Sequence, residues 1–159
     1  ILILELNLSG QKMQYKTHVL FGIVLGLIFQ NFSSFDVPLY FFFVIFGSLL
    51  PDIDHPKSKI GRWFKPIGWL FEHRGFFHSF FVPLIFSVVL FRNGFGGVMF
   101  PLALGYVSHL VLDATTKKGI MPLHPMSRIK IRGPFKTGGF VEQCLLMLLS
   151  LYIIVVLFF

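Results

Sequence analysis

Long apolar runs separated by short polar segments set the rhythm of this chain. The runs cover about Tyr15–Phe32, Val37–Ile53, Phe76–Phe91, Phe95–Leu112 and Val141–Phe159. A helix needs roughly 20 apolar residues to cross a hydrocarbon core about 30 Å thick, with a lower limit near 17. The second run sits at that limit and ends at Pro51, which is expected to end or kink its helix. Asn31–Asp36 reads as a polar turn without Lys or Arg, and Arg92-Asn93-Gly94 as a tight turn. Residues 55–75 mix Trp63, Trp69, Phe64 and Phe71 with basic residues, the composition of a membrane interface. The pattern predicts an all-α fold, a polytopic membrane helical bundle of about five transmembrane helices. Met13 offers a natural start that would leave residues 1–12 as an N-terminal extension, native or not, ahead of 13–159 as one membrane-embedded domain. The opening stretch lacks the basic start and small-residue cleavage site of a signal peptide.

Composition supports the same class. Apolar residues make up 55 % of the 159, with 22 Phe, and charged residues only 13 %. That is half the roughly 25 % usual in globular proteins, and mean hydropathy is +0.77. The single cysteine, Cys144, excludes an intrachain disulfide and reads as a small buried hydrophobe.

A net charge of +7 raises nucleic acid as a partner, and the distribution argues against it. Lys and Arg number two in residues 12–16, five in 57–74 and six in 117–136, with Arg92 alone in a loop of the other side. Thirteen against one is a strong positive-inside signal. It places the N-terminus and both long loops in the cytoplasm and the C-terminus outside, in a multi-pass protein of the cell membrane. The lipid bilayer is the expected partner, with contacts from the basic loops to anionic headgroups.

This topology brings scattered polar residues to one depth. His18 falls at the cytoplasmic end of the first helix, Asp52 and Asp54 at that of the second. His73 and His78 bracket the start of the third, and His109 and Asp113 close the fourth. His109 and Asp113 are four apart on a helix and share a face. Imidazole with carboxylate is a common ligand pair for transition metals. Asp52 and Asp54 share a side only if the backbone after Pro51 is extended; Asp52 also reads as a helix terminator. Gly75 permits a tight turn that brings His73 and His78 inward. His55 and His124 each precede proline in loops and read as ordinary loop residues.

At these residues the chain resembles the YdjM/YbcI group, a bacterial and archaeal family of membrane-bound, metal-dependent hydrolases also described as inner membrane-associated and LexA-binding. The resemblance rests on KTH at 16–18, PDID at 51–54, HRGFFHS at 73–79, SHLVLDATTKKG at 108–119, LHP at 123–125 and TGGFVE at 137–142. It runs in order from Met13 through most of the chain. It implies a polytopic membrane protein with a His/Asp metal centre and hydrolytic activity.

The expected metal ligands are His18, Asp54, His73, His78, His109 and Asp113, and the expected catalytic residues Asp52, Glu72 and Arg74. Glu72 either orients His73 or acts as a base, unless it is simply solvated; Arg74 either clamps an anionic substrate or faces headgroups. Six or seven His/Asp groups exceed the three protein ligands of a single catalytic zinc and suit one or two ions. Mixed imidazole and carboxylate ligation fits Zn, Mn or Fe better than Mg or Ca. At headgroup depth, the expected substrate is a phosphoester or ester of a lipid or another amphiphile. The alternatives are a non-enzymatic metal binder or transporter, since intramembrane His and Asp also mark ion pathways, and a scaffold with a structural ion.

Overall fold

The computed structural model describes residues 15–54 and 75–158. Among them are five α-helices, α1 (Tyr15–Phe29), α2 (Val37–Leu49), α3 (Phe81–Arg92), α4 (Gly96–Ala114) and α5 (Phe140–Phe158), and no named strand. Short 3-10 turns follow α1 (Gln30–Phe32) and α2 (Leu50–Asp54) and precede α3 (Phe76–His78). Pro38 stands in the first turn of α2, where its missing N–H costs nothing. At the other end of α2, Pro51 coincides with the passage into the 3-10 turn, as its sequence position predicts.

The third helix departs from expectation. It begins at Phe81 and not at Phe76, because Ser79 is extended and breaks the run. Pro83 explains the new start, since proline fits a helix only in its first turn. His78 therefore sits on a separate turn ahead of the helix, held by His78 N–H donating to the Gly75 carbonyl at 3.0 Å.

α4 is the central helix, packed against α1, α2 and α3, while α5 packs on α1. The α2–α4 crossing depends on small residues: a Cβ at Gly47 would overlap the Leu102 carbonyl, and one at Gly105 the Val44 carbonyl. Main chain thus meets main chain there, the usual way helices approach closely in membranes. Towards the 3-10 turns, Val82, Tyr106, Leu110 and Ile120 form a buried cluster with Phe76 and Phe77 against it. Tyr106 also donates its hydroxyl to the Phe77 carbonyl, tying α4 to the turn that presents His78.

Residues 115–139 are an ordered excursion rather than a plain basic loop. Isolated bridges join Thr116 to Phe135 and Ile120 to Ile131, and Phe80 N–H reaches the Pro122 carbonyl at 2.9 Å.

α4 and α5, at 19 residues each, are long and apolar enough to cross a membrane. At 1.5 Å per residue they reach about 28 Å, whereas α3, with 12 residues, reaches about 18 Å. α5 faces outward, with Leu148 at 64 % and Leu157 at 66 % exposure. Such a face is untenable in water and ordinary against lipid.

A candidate metal centre at one end of the bundle

Five side chains singled out in the sequence meet where α1, α2 and α4 come together with the turn before α3. His18 lies in the first turn of α1, Asp52 on the 3-10 turn after α2, His78 on the turn before α3, and His109 with Asp113 near the end of α4. His18, His78, His109 and Asp113 are all buried; Asp52 is half-buried. Glu72, His73 and Arg74, and His55 with them, lie outside the described residues. Asp54 closes its 3-10 turn, and its side chain lies outside the described part as well.

Asp113 is the hub. Its Oδ2 lies 3.3 Å from His78 Nε2 and 3.7 Å from His109 Nε2, and its Oδ1 lies 3.8 Å from His18 Nε2. The rings of His18 and His109 stack at 3.9 Å, inclined by only 15°. Thr116 fixes the helix end beneath Asp113 by donating its hydroxyl to the Asp113 carbonyl at 2.8 Å, and Thr115 does the same for Leu112 at 2.6 Å. Carbonyls left over at a helix end need such partners, and these two hold the ligand-bearing turn in place.

The hydrogen bonding of His109 decides what the cluster can do. Its Nδ1 lies 2.7 Å from the Ser48 carbonyl oxygen. A carbonyl only accepts, so Nδ1 carries the proton and a neutral ring presents a lone pair at Nε2. That nitrogen is buried and makes no hydrogen bond. What faces it at 3.7 Å is a carboxylate oxygen, a second acceptor. Protonating both His109 and the stacked His18 would set two like charges about 4 Å apart, an unfavourable solution in a low-dielectric interior. A cation between them satisfies the His109 lone pair and the facing carboxylate at once. Moreover, a backbone carbonyl on the far nitrogen is how metal-bound histidines are usually oriented.

The spacing agrees. Ligand atoms at 2.0–2.1 Å from a tetrahedral zinc are about 3.3–3.4 Å apart, close to the shortest contact here and slightly inside the others. Two triads qualify, His18–His109–Asp113 and Asp52–His78–His109, each with ligand atoms within 4.8 Å of one another. They share His109. The buried cluster can hold a metal ion.

Residues 13–159 match the family described as YdjM inner membrane protein. The chain belongs to that family. It is 38 % identical to the uncharacterized protein YvsG of Bacillus subtilis (strain 168) over 151 residues, covering 86 % of this chain and 89 % of that one. It is 36 % identical over 121 residues to the inner membrane protein YdjM of Escherichia coli (strain K12), and equally to that of Shigella flexneri. Those alignments cover 68 % of this chain and 61 % of each relative. No solved structure matches. Membership makes this a membrane protein, and by itself assigns neither a reaction nor a LexA contact.

Glu142 is a functional candidate that was not singled out in the sequence. It is buried in the first turn of α5, accepts from the Thr17 hydroxyl at 3.0 Å and from Gly138 N–H at 2.6 Å. The first bond fastens α5 to the turn of α1 that carries His18. A lone carboxylate inside an apolar run was the available signal, since such residues need a partner in a membrane. The Ser48 carbonyl left none, being main chain. His124 takes no part in either triad, and Cys144 is a free, half-buried thiol.

Proposed function

We propose that this chain is a multi-pass membrane hydrolase, metal-dependent and acting on a phosphoester or ester of an amphiphilic substrate at the cytoplasmic face. The observation that carries this reading is the pair of triads sharing His109, built from two helices and two 3-10 turns at one end of the bundle. Membership of an inner membrane family supports the setting. So does the run of Lys and Arg in residues 117–136 beyond the end of α4 that bears the cluster, with Arg92 at the opposite end of α3 and α4.

In this reading His18, His78, His109 and Asp113 would hold one divalent ion with Asp52 beside it; His109 offers a single lone pair, so the two triads are overlapping parts of one centre. Asp54 and His73 complete the set proposed from sequence. Zn, Mn or Fe fit the donors. Bound there, such an ion supplies Lewis acidity towards an ester or phosphoester oxygen and makes a nearby water easier to deprotonate. The protein's own part is orientation and access. The Ser48 carbonyl holds the His109 tautomer, Thr116 holds the Asp113 turn, and Asp52 is the half-exposed member on the side a substrate reaches. By their place in the sequence Arg74 would receive an anionic group and Glu72 would orient His73. Residues 13–159 act as a single domain.

The test is hydrolysis by detergent-purified protein of bis(p-nitrophenyl) phosphate and of headgroup-labelled phospholipids, with Zn or Mn supplied. Ligand-shell losses weaken metal sites by 10-fold to 100-fold even one layer out, so His78→Ala and Asp52→Ala should each lose at least about 100-fold while keeping their melting profile. Full activity in both would sink the proposal. The near-complete burial of four of the five groups favours one second reading, a structural ion that locks α1, α2 and α4 together. That reading predicts metal-dependent melting and no turnover.

A further inference from the structure

α5 leans on α1 and makes little contact with α4, so a gap remains between the end of α4 and the start of α5. It is a cavity of ≈ 190 Å³, with Leu112 and Thr116 buried at its floor, Leu145 on its wall, and Phe135, Lys136 and Val141 at its exposed mouth. We infer that this cavity receives one acyl chain of an anionic membrane lipid, whose phosphate lies against the basic 117–136 segment.

Size sets the first limit. The space is far larger than the roughly 30 Å³ share of one water and smaller than the 300–1,000 Å³ of a pocket that encloses a whole drug-sized ligand. It suits a slim segment of something longer. Chemistry sets the second. The hydroxyls of Thr115 and Thr116 are engaged by the carbonyls of Leu112 and Asp113. Glu142 is engaged by Thr17 and Gly138. Little in the lining still calls for water, which needs two to four polar partners to be held. The Thr17–Glu142 bond keeps α5 against α1, so the gap is held open by a hydrogen-bonded strut rather than left by loose packing.

Charge and continuity name the occupant. Between Thr115 and Val141 there are six Lys or Arg and no Asp or Glu. Within that stretch Met126 is 81 % and Ile129 70 % exposed, alternating with Arg128 and Lys130. Apolar side chains among cations are the makeup of a segment lying at the headgroup level of anionic lipid. The mouth, through Val141, runs on into the outward apolar face of α5. Leu112 and Thr116 lie beside Asp113 in the chain, so an acyl chain seated here packs against the helix end that carries the metal centre. The inference rests on the hydrolase reading for the purpose of the lipid, and on the cavity alone for its binding.

The experiment uses the full chain in detergent with phosphatidylglycerol carrying a diazirine in mid-chain, and locates the cross-links by peptide mass spectrometry. Cross-links should concentrate on Phe135–Leu145 and the end of α4. Filling the space with Leu145→Trp excludes two or three methylenes, at about 0.8 kcal/mol each, and should cut labelling tenfold or more. Val141→Trp at the mouth serves where Leu145→Trp does not fold, and Leu148→Trp on the outer face should change nothing. Labelling spread evenly along Leu148 and Leu151, or indifferent to both filling variants, would overturn the inference. Cavity labelling in a protein that hydrolyses nothing upholds it and removes the hydrolase. Metal-dependent hydrolysis of the soluble phosphoester with labelling indifferent to Leu145→Trp does the reverse.

Discussion

α4 and α5 are both 19 residues long and both apolar, yet 50 % of the first and 11 % of the second is buried in the protein. The difference follows from what each carries. α4 bears Ser108, His109 and Asp113 along with Gly105 and Pro101, and every one of these is buried. Polar groups at membrane depth need protein partners, and Gly105 allows α2 to come close enough to supply the Ser48 carbonyl. α5 bears Glu142 alone among carboxylates, at its first turn, and then aliphatic residues. It can face lipid because beyond Gln143 its hydrogen-bonding side chains are few, Ser150 and Tyr152, and Ser150 bonds its own helix at Leu146. Apolar length puts a helix in the membrane; its polar and small residues decide whether it goes to the centre.

That contrast can be broken most severely at the α2–α4 crossing. Gly105→Val drives a side chain into the Val44 carbonyl, and overpacking of this kind should cost about 3 kcal/mol or more. Thermal unfolding and monodispersity in detergent read the loss. Next comes a charge on the lipid-facing helix. Leu151→Arg, at a 57 % exposed position, should disfavour insertion by about 2.5–3.5 kcal/mol, seen as reduced recovery in the membrane fraction. A smaller effect is expected where the two helices' environments meet. Thr17→Val takes the α1 donor from buried Glu142 and should cost about 1–3 kcal/mol; Thr17→Ser should restore most of it. Smallest of all, Leu148→Ala on the outer face of α5 should stay within about 0.5 kcal/mol. A large loss there would mean that this face meets protein instead of lipid.

Much of this was legible in the sequence. The apolar runs located all five helices, Pro51 and Arg92-Asn93-Gly94 marked real ends, and the alternation of charge brought His18, Asp52, His78, His109 and Asp113 to one end. Two kinds of feature were hidden. Partnerships through main chain, such as Ser48 with His109, leave no side-chain signature. Long-range pairings do not either: Thr17 and Glu142 are 125 positions apart. The late start of α3 could be seen only by weighing Pro83 above the apolar character of Phe76 and Phe77. The bridged excursion at 115–139 was hidden because its strand-like pairs are single and lie among glycines and prolines.

The central claim is that the buried His/Asp cluster is a metal centre, and metal content tests it most directly. Elemental analysis of detergent-purified protein should find one or two equivalents of Zn, Mn or Fe in the wild type. The same preparation of His109→Ala/Asp113→Ala, which removes the shared imidazole and the hub carboxylate, should have lost the metal. A folded wild type that holds no transition metal even after reconstitution would contradict the account and leave the cluster as a polar network.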